Sequence, residues 1–175
     1  MILAAALFAF AVAQGDGLPA GTAGPEAVAC DLARAFMKLD SKLFRSSCIE
    51  PLGEGKSGQE YRSFLEGVSA NLDKDRKAGA KPDAVPKRIS KLFQARHLSK
   101  NGPGSTAYAL YDLQDVMFVD VVSELNDGST FKCRTLVFQL KDKTWRALPR
   151  PDLYPLLSAG LNEESDSTVE VPAKK

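Results

Sequence analysis

The sequence predicts a single α+β domain. Three observations carry that expectation. Two apolar stripes of helical period fill the N-terminal half, Tyr-, Val- and Phe-rich segments separated by turn signals fill the C-terminal half, and Asp127-Gly128 stands where a hairpin would turn. The expected architecture is two N-terminal helices packed on a curved, bent antiparallel sheet of about four strands, followed by a short C-terminal helix. The chain has 175 residues, a length that suits one domain. Its 44% hydrophobic and 26% charged residues exclude full disorder, collagen and a coiled-coil rod. The net charge of +1, from 23 basic and 22 acidic side chains, shows no basic surplus of the kind nucleic acid attracts.

The chain opens on an unbroken apolar run, Ile2 to Val12. A transmembrane helix needs about 20 apolar residues, and this run is shorter. It ends in Ala11-Val12-Ala13, the small-x-small pattern that a signal peptidase reads. Residues 1–13 are therefore expected to be a signal peptide, although no Lys or Arg precedes the run. Four Gly and two Pro between Gly15 and Pro25 mark residues 14–24 as a flexible leader. Cys30 follows Ala27-Val28-Ala29 but lies seventeen residues beyond the apolar run, too far for a lipidation site.

Pro25 suits the first turn of a helix, and Glu26 complements its N-terminus. Val28, Leu32, Phe36, Leu39 and Leu43 recur at steps of three and four, so the first helix is expected to reach Phe44. Pro51, Gly53 and Gly55 break the chain. Tyr61, Leu65, Val68 and Leu72, with Phe64 alongside, predict a second helix from Ser57 to Lys77, ending near Gly79. Ile89 to Ser99 reads as a strand of poor alternation, and Asn101-Gly102-Pro103-Gly104 as a turn. Thr106 to Leu113 and Val116 to Leu125 read as strands. As one straight strand they would span about 60 Å, too long for this domain, so a bulge or bend is expected near Gln114-Asp115. Phe131 to Leu140 returns, Asp142-Lys143 turns, and Thr144 to Leu148 closes the meander. Asp152 caps a last helix through Leu161, and the polar residues 162–175 read as a disordered tail. One domain, 25–161, accounts for the rest.

A two-residue turn at Asp127-Gly128 fixes a register in which Val122 faces Cys133, Asp120 faces Thr135 and Phe118 faces Val137. Those six share one face. Val119, Val121, Leu136 and Phe138 share the other, with Trp145 opposite Leu140 there. Both faces are largely apolar. Helices cover one, so a partner, a chain end or a ligand is expected on the other, and a homodimer through the sheet follows.

Two helices followed by a long, bent antiparallel sheet resemble the nuclear transport factor 2-like superfamily. Ala35-Phe36-Met37-Lys38-Leu39-Asp40 looks like the family's helix ending, and Phe138-Gln139-Leu140-Lys141-Asp142-Lys143-Thr144-Trp145-Arg146 like its last hairpin. The likeness covers roughly Pro25 to Pro149. It implies a cone with an internal pocket and, in many members, a dimer through the sheet. Members include isomerases, cyclases, dehydratases and non-catalytic binding domains, so the fold alone selects no function.

Asp120 is the first candidate for chemistry. A carboxylate on an apolar pocket wall has a raised pKa and serves as a general base. The resemblance implies such a base in isomerase-like members, with Tyr108 or Tyr111 supplying a phenol here. The plainer reading is an Asp facing solvent or bonded to Thr135. His97, the single histidine, would form an acid/base dyad with Asp120 as in dehydratase-like members; flanked by Arg96 and followed by Lys100, it also reads as a surface residue. From Asn71 to Lys100 nine Lys/Arg stand against three Asp, an anion-binding patch or a solvated connector. Gly53-Glu54-Gly55-Lys56-Ser57-Gly58 lacks phosphate-loop spacing. Three cysteines allow at most one disulfide. Cys30 and Cys48 would lie about 27 Å apart on one helix, which leaves Cys48 with Cys133 as the pairing to consider. One histidine and no CxxC argue against a metal site, and no cofactor is implied.

The expected function is an exported, non-catalytic domain that binds a small, mainly apolar ligand or a protein partner. Phe118, Asp120, Val122, Thr135 and Val137 are the expected ligand wall, mostly apolar with a few polar contacts. The alternatives are a pocket enzyme of isomerase or dehydratase type using Asp120, and a structural dimeric envelope module.

Overall fold

A computed structural model of the chain describes residues 17–51, 56–81, 84–94, 114–150 and 167–170. The elements in order are helices α1 (Pro25–Met37), α2 (Ser41–Ser47) and α3 (Lys56–Lys77), then strands β1 (Ala84–Gln94), β2 (Asp115–Leu125), β3 (Thr130–Gln139), β4 (Trp145–Leu148) and β5 (Ser167–Glu170). The fold is α+β. The strands form one sheet in the order β4-β3-β2-β1-β5, with every neighbouring pair antiparallel.

The first predicted helix is two helices. Leu39 takes a left-handed φ of 52°. The N–H of Asp40 then bonds the carbonyl of Ala35 at 2.8 Å, and that of Leu39 bonds Phe36 at 3.3 Å, the paired bonds of a Schellman ending. Asp40 at once caps α2: its Oδ1 accepts from the backbone N–H of Lys42 at 3.0 Å and of Leu43 at 2.9 Å. The apolar stripe runs through this break because Leu39 and Leu43 still pack on the core, and a stripe by itself does not reveal a local stop. α3 matches its expected span and stripe. It ends in the same Schellman geometry, with Gly79 at the left-handed position.

α1 is buried from Ala27 to Ala35, and it lies against β1 to β4 and beside α2. Among its buried residues are Asp31 and Arg34. Arg34 Nη1 donates to Asp31 Oδ1 at 2.8 Å and to the carbonyl of Pro19 at 2.7 Å, while Nη2 donates to the carbonyl of Leu18 at 2.8 Å. Asp31 Oδ2 accepts from the backbone N–H of Gly21 at 2.7 Å. Leu18 is buried in the core, and the N–H of Trp145 bonds the carbonyl of Thr22 at 2.8 Å. Residues 18–22 are thus clasped to the fold, where their Gly and Pro content predicted a flexible leader. The buried ion pair is supported by backbone groups of Leu18, Pro19 and Gly21, which supply further hydrogen bonds to both side chains.

β1 starts before the expected strand and contains Pro86. Proline lacks the ladder N–H and is confined to edges and bulges; here the register slips between Pro86 and Arg88, and again between Lys91 and Phe93. β5 falls in the tail that composition marked as disordered, and pairs with β1 from Arg88↔Glu170 to Lys91↔Ser167. Backbone pairing needs an open strand edge more than an apolar sequence, and β1 offers one. On the opposite side, the N–H of Ile49 bonds the carbonyl of Ala147 at 2.8 Å, so the chain after α2 covers the outer edge of β4. The expected strand at 106–113 and the expected helix at 152–161 lie outside the described residues, as does the signal-peptide segment.

The β2–β3 register differs by one residue from the predicted one. Phe118 pairs with Leu136, Asp120 with Arg134 and Val122 with Lys132. The loop has three residues, not two. The N–H of Gly128 bonds the carbonyl of Leu125 at 3.0 Å, Gly128 follows with φ 82°, and the N–H of Leu125 bonds the carbonyl of Ser129 at 2.8 Å. This is a type I turn followed by a left-handed residue. The β3–β4 hairpin repeats it: the N–H of Lys143 bonds Leu140 at 2.9 Å, and Lys143 itself has φ 68°. Trp145 accordingly pairs with Gln139, not with Leu140. Each loop carries an Asp whose Oδ1 accepts from the hydroxyl two residues on, Asp127 from Ser129 and Asp142 from Thr144, both at 2.6 Å. That Asp-x-Ser/Thr lock stabilises the longer loop.

Candidate functional site

A one-residue slip turns a strand over. On β2, Phe118, Asp120 and Val122 keep their common face. On β3, the residues beside them are now Leu136, Arg134 and Lys132. Thr135 and Val137 stand on the opposite face, with Val119 and Met117. The predicted ligand wall of five residues is therefore split between the two sides of the sheet, and all five are buried. The face bearing Val119 looks toward α1: Ser123, on that face, brings its Oγ 4.0 Å from Met37 Sδ.

The slip also supplies Asp120 with partners that the predicted register had placed elsewhere. The carboxylate is fully buried. Its Oδ1 accepts from Arg134 Nε at 3.1 Å, and its Oδ2 lies 3.1 Å from Lys132 Nζ. Both cations are about half exposed, 49% for Arg134 and 53% for Lys132. Arg134 also stacks over Phe118, with its guanidinium carbon 6.0 Å from the ring centroid. The long aliphatic stems of Lys132 and Arg134 thus roof an apolar patch while their heads reach water, and Asp120 anchors both from below. Neither sequence reading anticipated this. The carboxylate is not solvent-facing, and it is not held by Thr135.

The carboxylate is shielded from solvent, with Oδ1 hydrogen-bonded to Arg134 and Oδ2 ion-paired with Lys132 but making no hydrogen bond among the described residues. A general base must sit within hydrogen-bond reach of the proton it removes; here both oxygens are buried beside the heads of Arg134 and Lys132. His97, Tyr108 and Tyr111, the remaining candidates, lie outside the described residues. The signal for Lys132 and Arg134 was in the sequence, in the Asp-x-Ser/Thr pattern that both hairpin loops share and that distinguishes a three-residue loop from a two-residue one.

The cysteines are free thiols. Cys48 sits beside Ala147 on the outer edge of β4, and Ala147 pairs with Val137. Cys133 lies four residues along β3 from Val137, which is about 13 Å. A disulfide needs Cα atoms within about 7 Å, so the Cys48–Cys133 pairing does not form. Burial pushes the Cys48 thiol up to about 12, against the pull of Arg45 and with a smaller push from Glu50. Burial raises Cys133 as well; a hydrogen bond with Thr135 opposes it and the charge of Asp120 adds to it. Neither environment favours a reactive thiolate. Among the described residues, no three His, Cys, Asp or Glu side chains come together as metal ligands, and no helix is long and apolar enough to cross a membrane.

Comparison of the chain with protein-family models, with curated proteins and with solved structures returns no match in any of the three.

Proposed function

We propose that this chain is an exported, non-catalytic binding domain of nuclear transport factor 2-like type. One observation carries the non-catalytic part. Asp120, the carboxylate best placed by sequence for proton abstraction, is buried, with Oδ1 hydrogen-bonded to Arg134 and Oδ2 ion-paired with Lys132. Electrostatic catalysis needs groups aimed at developing charge; this cluster is aimed at itself. Helices ahead of an antiparallel sheet support the family reading. The split of Phe118, Asp120 and Val122 from Thr135 and Val137 favours a ligand or partner bound at the surface over an apolar molecule inside the sheet layer.

Export rests on Ala11-Val12-Ala13. Cleavage after Ala13 would leave every residue of the clasp at 18–22 on the mature chain, which supports that position. Mass spectrometry of the N-terminus from the native host is expected to give Gln14 as first residue; an intact Met1 in the cytosolic fraction would reject export. For the binding reading, wild type and Asp120→Asn are screened together by thermal shift and by mass analysis of the incubated ligand. The expected result is stabilisation by some ligands with no chemical change in them. Turnover by wild type that Asp120→Asn abolishes would restore the pocket-enzyme reading.

A further inference from the structure

A cleft of about 420 Å³ opens between α2 and α3, lined by Ser41, Lys42, Arg45, Ser46, Glu50 and Ser69. Lys42 and Arg45 stand three residues apart on α2, so their side chains lie on one helix face and enter the cleft together. The bonding of Arg45 is incomplete. Its Nη1 is shielded from water and has no hydrogen-bond partner. Its Nη2 lies 3.5 Å from Glu50 Oε2, a long contact to a side chain that is 69% exposed. A guanidinium carries five donors in a planar fork made for oxyanions, and a buried donor without an acceptor is destabilising. Lys42, exposed one turn earlier, forms no ion pair among the described residues. The hydroxyls of Ser41, Ser46 and Ser69 donate to Asp73 Oδ1 and to the carbonyls of Leu43 and Leu65. They shape the walls and leave the cations to do the binding.

We infer that this cleft binds a small organic oxyanion, a phosphate or carboxylate group gripped by Arg45 and Lys42, and that Glu50 is its internal competitor. Glu50 already brings one carboxylate to Arg45, so the cleft shows in weak form the interaction it would make with a ligand. When a stronger anion enters, Glu50 swings out to solvent and both terminal nitrogens of Arg45 turn to the ligand, with Lys42 completing the grip. The volume exceeds that of a bare phosphate and lies in the range of small-molecule sites. The cleft stands apart from Asp120, so anion binding and the non-catalytic reading stand or fall by separate measurements.

The test uses the full-length chain and two substitutions with opposite expected effects. Inorganic phosphate and succinate are titrated separately against wild type, Arg45→Gln and Glu50→Gln, with amide and arginine side-chain NMR shifts as the readout. Wild type is expected to show saturable shifts centred on Lys42, Arg45 and Ser69. Arg45→Gln should weaken binding about tenfold or more, the size of a charge-assisted hydrogen bond. Glu50→Gln should tighten it, since the competing carboxylate is gone. Stronger binding of phosphate than succinate assigns a phosphorylated ligand, and the reverse a carboxylate. Unfolding curves confirm that both variants fold. Absence of saturable shifts in wild type, shifts centred elsewhere, equal binding by Arg45→Gln, or weaker binding by Glu50→Gln would each overturn the site.

Discussion

Asp127 and Asp142 show how one side chain determines a register. Hydrogen bonds from Ser129 and Thr144 hold both carboxyls below their ordinary value, the side-chain hydroxyl being the larger influence in each case. A carboxyl whose folded-state pKa is depressed stabilises the protein above its unfolded pKa, near 3.9, and loses that contribution as pH falls through the folded value. The stability gap between wild type and Asp142→Ala is therefore expected to be largest near pH 6 and to shrink steadily toward pH 3, measured by urea unfolding across that range. A gap that is constant with pH would show that the loop does not use the ionised form. The thiols make a second prediction at this scale. With Cys48 pushed up to about 12, iodoacetamide at pH 8 should leave it unmodified in the native protein, while three thiols per chain react once the chain is unfolded. Fewer than three would mean that a disulfide had formed.

The two hairpin loops have the same geometry with different residues at the left-handed position, and this separates conformational from contact effects at the level of the element. Gly128 adopts its positive φ without a Cβ, and a Cβ there would meet nothing within 4 Å. Gly128→Ala is expected to destabilise by about 1 kcal/mol through backbone conformation alone. Lys143 holds φ 68° with a side chain exposed to water. Lys143→Gly should stabilise by about 0.5 kcal/mol, relief of the left-handed penalty being partly offset by the freer unfolded chain. Thermal unfolding of the two variants side by side measures both, and the opposite signs are the diagnostic. α1 gives a further test. Arg34 donates to Pro19, Leu18 and Asp31, so a chain starting at Ala23 leaves a buried guanidinium short of acceptors. That truncation should destabilise by about 3 kcal/mol or more, whereas a chain starting at Gln14, which keeps these acceptors, should match the full-length chain in stability.

For the molecule as a whole, the sheet is buried on both sides along β2. Val116, Phe118 and Val122 are covered on one face and Met117, Val119 and Val121 on the other, all within a single chain. A dimer through the sheet would use an apolar face that the helices leave uncovered, and Phe138 was placed on one of the two faces. Phe138 is 2% exposed. Phe138→Lys is therefore expected to unfold the protein, at a penalty of several kcal/mol for a buried, unpaired ammonium, and not to release a folded monomer. Circular dichroism and size exclusion of that variant distinguish the two outcomes. Among the described residues the large apolar side chains left exposed are Phe36 on α1 and Phe131 on β3, each 41% exposed.

Composition and periodicity were enough for the α+β class, the span and buried stripe of α3, and the order of strands β2, β3 and β4, because each is written in local sequence at a period the backbone imposes. The break at Leu39-Asp40 was also local, but it lay inside an uninterrupted apolar stripe and was masked by it. The surroundings of Asp120 were not written at Asp120 itself. They depend on whether the loop after Leu125 holds two residues or three, and one residue reverses which side chains of β3 meet it. The sequence alone therefore determined that Asp120 would stand mid-strand among valines, and left open whether it faced solvent or a pocket. The tertiary structure decided that it would face Arg134 and Lys132, because cross-strand partners are chosen by register, and register was settled by a hydroxyl that locks an aspartate two residues before it.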